Sequence, residues 1–193
     1  MDTATKHKVE AVVIGASAGG VQALLTLLSA LPASFRLPII TVLHLPANRD
    51  SQLAEVFQHR LALTVREAAD KETIAPGTVY FAAPGYHLSV ENDRTFSLSG
   101  EAPLQFCRPS IDVLMESAAD AYGAALLAIV LTGANADGAD GLARVKRLGG
   151  LTAVQDPAEA AAVTMPKAAI HRCRPDFILN LDGILELLLK IDT

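Results

Sequence analysis

The sequence predicts an α/β fold, a doubly wound, mainly parallel sheet of the Rossmann-like kind with an antiparallel β-hairpin. Three observations predict it. Short apolar runs alternate with helix-length segments along most of the 193 residues. Those runs are apolar almost throughout, as strands covered on both faces must be. Between residues 78 and 98 the pattern changes to three closely spaced strand-like runs, which is where a hairpin belongs.

The elements follow in order. Val12-Val13-Ile14 is a β-branched run closed by glycine, hence a first strand. Val21 to Leu31 is apolar with Gln22, Thr26 and Ser29 interspersed, which suits a buried helix. Pro38 to Leu43 is a second strand, and Gln52 to Arg60 a helix with Ser51 as its N-cap. Thr78 to Ala82, His87 to Val90 and Thr95 to Leu98 are the close strands, with turns at Pro84-Gly85 and Glu91-Asn92-Asp93. Leu126 to Leu131 is a buried strand, and Ala139 to Leu148 a helix stopped by Gly149-Gly150. Leu151 to Val154 and Phe177 to Leu179 are further strands, and Asp182 caps a last helix through Lys190. No repeat, low-complexity tract or linker interrupts the pattern, so residues 1–193 read as one domain.

Composition narrows the function. Hydrophobic residues make up 51% and charged residues 19%, which excludes a disordered chain. The net charge of −5 leaves no basic surplus for a nucleic-acid backbone or an anionic membrane face. Aromatic residues are few, so base-stacking platforms are not expected. Two cysteines, Cys107 and Cys173, exclude a disulfide scaffold and favour a reducing, cytoplasmic setting. Ala11 to Phe35 carries no charge, yet its glycines and Pro32 make it a strand, turn and helix rather than a membrane span or signal peptide.

In open α/β sheets chemistry sits at the carboxyl ends of the strands. Ser17 follows the first strand, His44 the second, and Asp137 the Leu126 to Leu131 strand. These are the ingredients of nucleophilic acyl transfer. Ser17 and His44 are 27 residues apart, one βαβ unit. If their strands are neighbours, the ends lie roughly 5 Å apart. A serine hydroxyl needs such a base, and the base needs a carboxylate to fix its tautomer. Ser17 also sits in Gly-x-Ser-x-Gly, the pattern of a sharp strand-to-helix turn. Gly19 and Gly20 allow that turn, and the amides of the following helix offer oxyanion donors.

Plainer readings stand beside these. A glycine-rich strand-helix turn also binds nucleotides, but the Rossmann pattern has glycine at Ser17 and an acid at His44. His44 could be a core histidine, and Asp137 or Asp140 a cap on the next helix. Ser17, Asp137 and His171 would follow the α/β-hydrolase order, although that fold places its nucleophile later in the sheet. His171 with Cys173 is a weak metal signal and fits a solvated helix end better. His7, His59 and His87 have no distinctive context. Cys107 is either an inert thiol or a site-lining group, and Arg108 binds a substrate carboxylate or pairs with a surface acid.

Ala11 to Gly20, Leu43-His44-Leu45-Pro46, Arg108-Pro109-Ser110-Ile111-Asp112-Val113-Leu114, Leu131-Thr132-Gly133 with Asp137-Gly138, and Met165-Pro166 stand in this order along the chain. Together these segments resemble the catalytic domain of CheB-type chemotaxis methylesterases. The similarity runs from about residue 9 to 190, in order. The resemblance implies Ser17 as nucleophile, His44 as general base and Asp137 as orienting carboxylate. Ala18, Gly19, Gly20, Ala134, Cys107 and Arg108 would line the oxyanion and substrate region. The implied substrates are γ-glutamyl methyl esters on the cytoplasmic helices of chemoreceptors, with glutamine deamidation as related chemistry. No metal or organic cofactor is implied; water suffices. Three departures stand out. No receiver domain is recognisable in this chain, so a separate receiver or regulatory protein is a candidate partner. The loop reads Thr132-Gly133-Ala134-Asn135-Ala136-Asp137-Gly138 where the family usually has Thr-Gly-Met-Gly-Asn-Asp-Gly. Cys107 stands where the family often has histidine. These departures leave two alternatives to the methylesterase: a binding or regulatory module, and an esterase for a small diffusible ester.

Overall fold

The computed structural model describes residues 8–44 and 53–192. Seven strands form one sheet: β1 (Ala11–Ala16), β2 (Ile39–Leu43), β3 (Thr64–Glu67), β4 (Thr78–Phe81), β7 (Leu126–Val130), β8 (Leu151–Gln155) and β9 (Phe177–Leu179). Their order is β3-β4-β2-β1-β7-β8-β9, and every neighbouring pair is parallel. Two further strands, β5 (His87–Val90) and β6 (Phe96–Ser99), pair antiparallel as a separate hairpin. The predicted doubly wound sheet with a hairpin is therefore observed. One detail differs. Of the three close strands, Thr78 to Phe81 joins the parallel sheet and only the later two make the hairpin. Thr78, Val79, Tyr80 and Phe81 are all buried, and a hairpin open to solvent on one face could not cover them.

Both faces of the sheet are covered, and strand alternation decides which residue meets which layer. Val12, Ile14 and Ala16 point to one side with Leu24, Leu27 and Leu28 of α1 (Gly20–Ser29), Phe57 of α2 (Leu53–Gln58), and Ile184 and Leu188 of α6 (Leu181–Ile191). Ala11 and Val13 point to the other. There they meet Leu114 and Met115 of α3 (Ile111–Tyr122), Leu142 and Val145 of α4 (Ala139–Arg147), Ala169 of α5 (Thr164–Cys173), and the hairpin residues Leu88, Val90 and Phe96. In α1 the buried positions are Gly20, Ala23, Leu24, Leu27 and Leu28, the i, i+3, i+4, i+7, i+8 stripe of a helix lying on a sheet.

The sequence reading assigns no element to Thr64–Glu67 or Ile111–Tyr122. β3 is an edge strand with only Val65 buried, so it lacks the apolar run that marks its neighbours. α3 does carry a signal: Ile111, Leu114, Met115, Ala118, Ala119 and Tyr122 recur at helical spacing behind Pro109-Ser110. The last helix is capped by Asn180, whose side chain accepts from the Gly183 amide at 2.9 Å, while Asp182 lies in its first turn. The Ser51 cap and the Leu45-Pro46 segment lie outside the described residues.

The strand order places the site. The chain leaves β1 toward β2 on one side, and β7 with its successors lies on the other, so the switch point falls between β1 and β7. Ser17 lies just past β1 there, with Thr132 across from it and His44 just past β2.

Candidate active site

Ser17 owes its position to the end of β1. The last registered pair of β1 and β2 is Ala16 with Leu43, so Ser17 and His44 are the next residues in line on adjacent strands. The His44 amide donates to the Ala16 carbonyl at 3.0 Å, which continues the ladder and fixes where the imidazole leaves the backbone. On the other side the Ser17 amide donates to the Thr132 carbonyl at 2.9 Å. Ser17 is half-buried and Ala18 and Gly19 are exposed, so the turn opens to solvent.

Gly19 makes that turn. Its φ is +79°, in the left-handed region, and an added Cβ would lie 2.6 Å from the Ala161 methyl. Thr132 braces the same turn. Its hydroxyl donates to the Ala18 carbonyl at 2.8 Å and accepts from the Ala162 amide at 2.8 Å. The Gly20 amide is spent on the Ser17 carbonyl at 2.7 Å, and the Gly133 amide on the Ala162 carbonyl at 3.1 Å. Among the described residues, the amides of Ala18 and Ala134 donate to no protein acceptor. These two N–H groups are among those the two turns leave unpaired.

Asp137 is buried, and each of its oxygens is met twice. Oδ1 accepts from the Ser110 hydroxyl at 2.9 Å and the Asp112 amide at 3.0 Å. Oδ2 accepts from the Ile111 amide at 2.7 Å and lies 3.0 Å from His44 Nε2. The last contact is close but poorly aligned for a hydrogen bond, as catalytic contacts commonly are without substrate. Burial alone would raise the Asp137 carboxyl, but the His44 side chain and the amides of Ile111 and Asp112 outweigh it and hold its pKa below the ordinary value. The group stays an anion, at the positive end of α3. Asp112 goes the other way. Burial and the Asp137 charge push its carboxyl up to about 7, against the Gly141 amide that donates to it at 2.7 Å.

His44 thus offers Nε2 to Asp137 and turns Nδ1 toward the loops. Nδ1 lies 3.4 Å from Asn135 Nδ2 and 3.7 Å from Cys107 Sγ, and Asn135 Nδ2 donates to that sulfur at 3.3 Å. Burial and the Asp137 charge raise the Cys107 thiol pKa. Asn135 is itself held, its side-chain oxygen accepting from the Asp137 amide at 3.2 Å. Among the described residues no hydrogen bond joins the Ser17 hydroxyl to His44. One ligand atom from each of His44, Cys107 and Asp137 lies within 4.8 Å of the others, so this is also where a cation could be held.

The remaining expected residues sort as follows. Among the described residues Arg108 pairs with no acid; it is exposed, and its Nη1 donates to the carbonyls of Gly100 and Glu101 at 3.0 and 2.9 Å. Asp140 lies in the first turn of α4, where its carboxylate pairs with Arg172. His171 is exposed near the end of α5, and Cys173 packs at the edge of the second core.

Two site residues escaped the sequence reading. Ser110 holds Asp137 through its hydroxyl, and His87 holds Ser110. His87 is buried, accepts from the Ser110 amide at Nδ1 (3.2 Å) and donates from Nε2 to the Ala102 carbonyl at 3.1 Å. A histidine inside a predicted hairpin strand was the available signal, since strands of that kind seldom bury one without partners.

Residues 12–188 match the family model described as CheB methylesterase. A relative from Leptospira interrogans, named for protein-glutamate methylesterase and protein-glutamine glutaminase activities, is 45% identical over 183 residues and covers 95% of each chain. A Clostridium acetobutylicum relative with the same two activities in its name is 34% identical over 187 residues, 97% of this chain and 54% of its own length. The crystal structure of the Thermotoga maritima CheB methylesterase catalytic domain superposes with a TM-score of 0.89 at 33% identity. It covers 95% of this chain and 98% of that one. Among the described residues no helix is long and apolar enough to cross a membrane.

Proposed function

The chain belongs to the CheB methylesterase family, and on that premise we propose that it hydrolyses γ-glutamyl methyl esters with Ser17, His44 and Asp137 as its triad. The observation that carries this reading is the buried Asp137 carboxylate 3.0 Å from His44 Nε2, with Ser17 on the neighbouring strand end.

The ring orientation supports one course for the proton. Asp137 is an acceptor only, so Nε2 carries the hydrogen and Nδ1 the free lone pair. Nδ1 takes the Ser17 proton as Oγ attacks the ester carbonyl. The carbonyl oxygen becomes an oxyanion and is met by the amides of Ala18 and Ala134, each typically worth about 10²–10³ in rate. The imidazolium returns its proton to the leaving oxygen, and methanol departs. Water then enters, gives a proton to Nδ1 and releases the glutamate, restoring Ser17. With a glutamine side chain the same sequence expels ammonia, which fits the second activity in the relatives' names. Asp137 stabilises the imidazolium without taking its proton.

The substrate is a protein, the cytoplasmic helical region of chemoreceptors, and the enzyme acts in the cytoplasm. Support comes from the family and from the exposure of the turn: half-buried Ser17 lies beside exposed Ala18 and Gly19. Release of labelled methanol from a methylated receptor domain, with Ser17→Ala as control, tests the proposal. Activity should fall by about 10⁴-fold or more with the fold unchanged. Equal release by Ser17→Ala would remove the triad assignment. A folded enzyme that turns over only small esters would remove the receptor.

A further inference from the structure

We propose that His44 Nδ1 and Cys107 Sγ form a binding site for a thiophilic divalent cation of the zinc class, and that occupancy shuts the enzyme off. Three observations meet at this point. The two atoms are 3.7 Å apart. A tetrahedral zinc with a nitrogen at about 2.0–2.1 Å and a sulfur at about 2.3 Å separates them by roughly 3.6 Å. The two ligand atoms themselves already stand at the separation an ion requires.

The opposite ring nitrogen faces the kind of acceptor a metal-binding histidine uses, at hydrogen-bonding distance though not aligned for the bond. Nε2 faces the Asp137 carboxylate at 3.0 Å, and ligating histidines almost always offer their other N–H to such an acceptor. Asp137 suits that supporting role better than direct ligation, since each oxygen is already met twice. The third side is closed by the Asn135 amide, 3.4 Å from Nδ1 and 3.3 Å from Sγ, whose oxygen takes the third position only by a flip that gives up its bond from the Asp137 amide. The anionic Asp137 favours a cation here.

Binding is balanced by one proton. The neutral imidazole gives its lone pair, the Cys107 thiol gives up its hydrogen to solvent, and the cation takes the thiolate. No oxidant is involved. Inhibition, unlike binding, rests on His44 being the base: the lone pair that would accept the Ser17 proton is the one the metal occupies.

The test uses cobalt(II) as a visible probe on the intact protein, with zinc(II) as competitor. One ion per chain should bind and show a thiolate-to-cobalt charge-transfer band. Cys107→Ser should lose the band and weaken zinc affinity at least tenfold, and His44→Gln should weaken it comparably. Cys173→Ser should keep the band. Ser17→Ala, inactive on the reading above, should bind metal like the parent, so metal binding is scored without activity. In the active protein, zinc should stop methanol release and a chelator should restore it. Absence of the band, a band that follows Cys173, or equal zinc affinity in Cys107→Ser would overturn the site. Metal bound through Cys107 with undiminished methanol release would overturn the inhibition. Circular dichroism of each variant separates lost ligation from lost fold.

Discussion

The amide of Ile111 donates to Asp137 Oδ2 at 2.7 Å, so an aspartate from the loop after β7 closes the N-terminus of α3 and not that of α4, the helix it precedes. One carboxylate therefore serves two structures. It compensates unpaired amides at the start of α3, and it faces the imidazole of His44. The helix end in return keeps the carboxylate ionised in a buried place, which is the state an orienting group needs.

Asp137→Asn separates the two roles. The amide keeps one oxygen acceptor but no charge, and whichever way it turns its NH₂ meets the amide of Ile111 or of Asp112, which can only donate. Activity should fall by about 10⁴-fold, as when a triad carboxylate is neutralised. Stability should fall by about 1–3 kcal/mol for the mismatched buried partners. Urea unfolding and methanol release on the same preparation check both. A variant with lost stability and full activity would leave Asp137 as a helix cap alone.

Asp112 gives the pH dependence. Its carboxyl is pushed from an ordinary 3.8 up to about 7 by burial, with the Asp137 charge adding to the rise. A group that holds its proton more tightly when folded stabilises the fold while protonated. That contribution is complete below 3.8 and is lost as pH rises through about 7. Asp137 has the opposite sign: its contribution is present at neutral pH and is lost as pH falls through its depressed pKa. Thermal melts of Asp112→Asn across this range should be flatter than those of the parent, with the variant gaining relative stability toward pH 8. Asparagine can keep the bond from the Gly141 amide, so the comparison isolates the charge. Parallel curves would remove the assignment.

Gly19→Ala tests the turn. An L side chain at φ +79° costs about 1–2 kcal/mol, and the Ala161 methyl at 2.6 Å forces a further shift. Because Gly19 follows Ala18, whose amide is proposed to meet the oxyanion, the loss should reach kcat as well as stability. A variant with reduced stability and unchanged kcat would place the oxyanion donor elsewhere.

The sequence carries the sheet well and the site unevenly, for physical reasons. β1, β2, β7 and β8 are legible because burial on both faces leaves largely apolar runs, and the edge strand β9 because Phe177-Ile178-Leu179 is itself apolar. Ser17 and His44 are legible as neighbours because one βαβ unit fixes the strand pairing. Asp137 is legible as a strand-end acid, but not its grip on Ser110, Ile111 and Asp112, between 25 and 27 residues earlier in the chain. Contacts between loops that follow non-adjacent elements leave no periodic trace. The same holds for Cys107 and Asn135, which meet His44 from two different loops.

His87 supplies the last prediction, because it links the hairpin to the site without reaching the substrate. The Ser110 amide can only donate, so Nδ1 of His87 must accept and Nε2 must carry the proton that goes to the Ala102 carbonyl. His87 thereby ties down both ends of the 102–110 segment, which carries Cys107, Arg108 and Ser110. His87→Leu leaves a buried amide and a carbonyl without partners, at a cost of about 1–3 kcal/mol. It also frees Ser110, whose hydroxyl steadies Asp137 at 2.9 Å. If His87 positions the triad through Ser110, kcat should fall about tenfold or more while KM changes less, and His87→Gln, with one donor and one acceptor, should recover part of kcat. A purely structural role would lower the melting temperature of His87→Leu and leave kcat of the remaining folded enzyme unchanged.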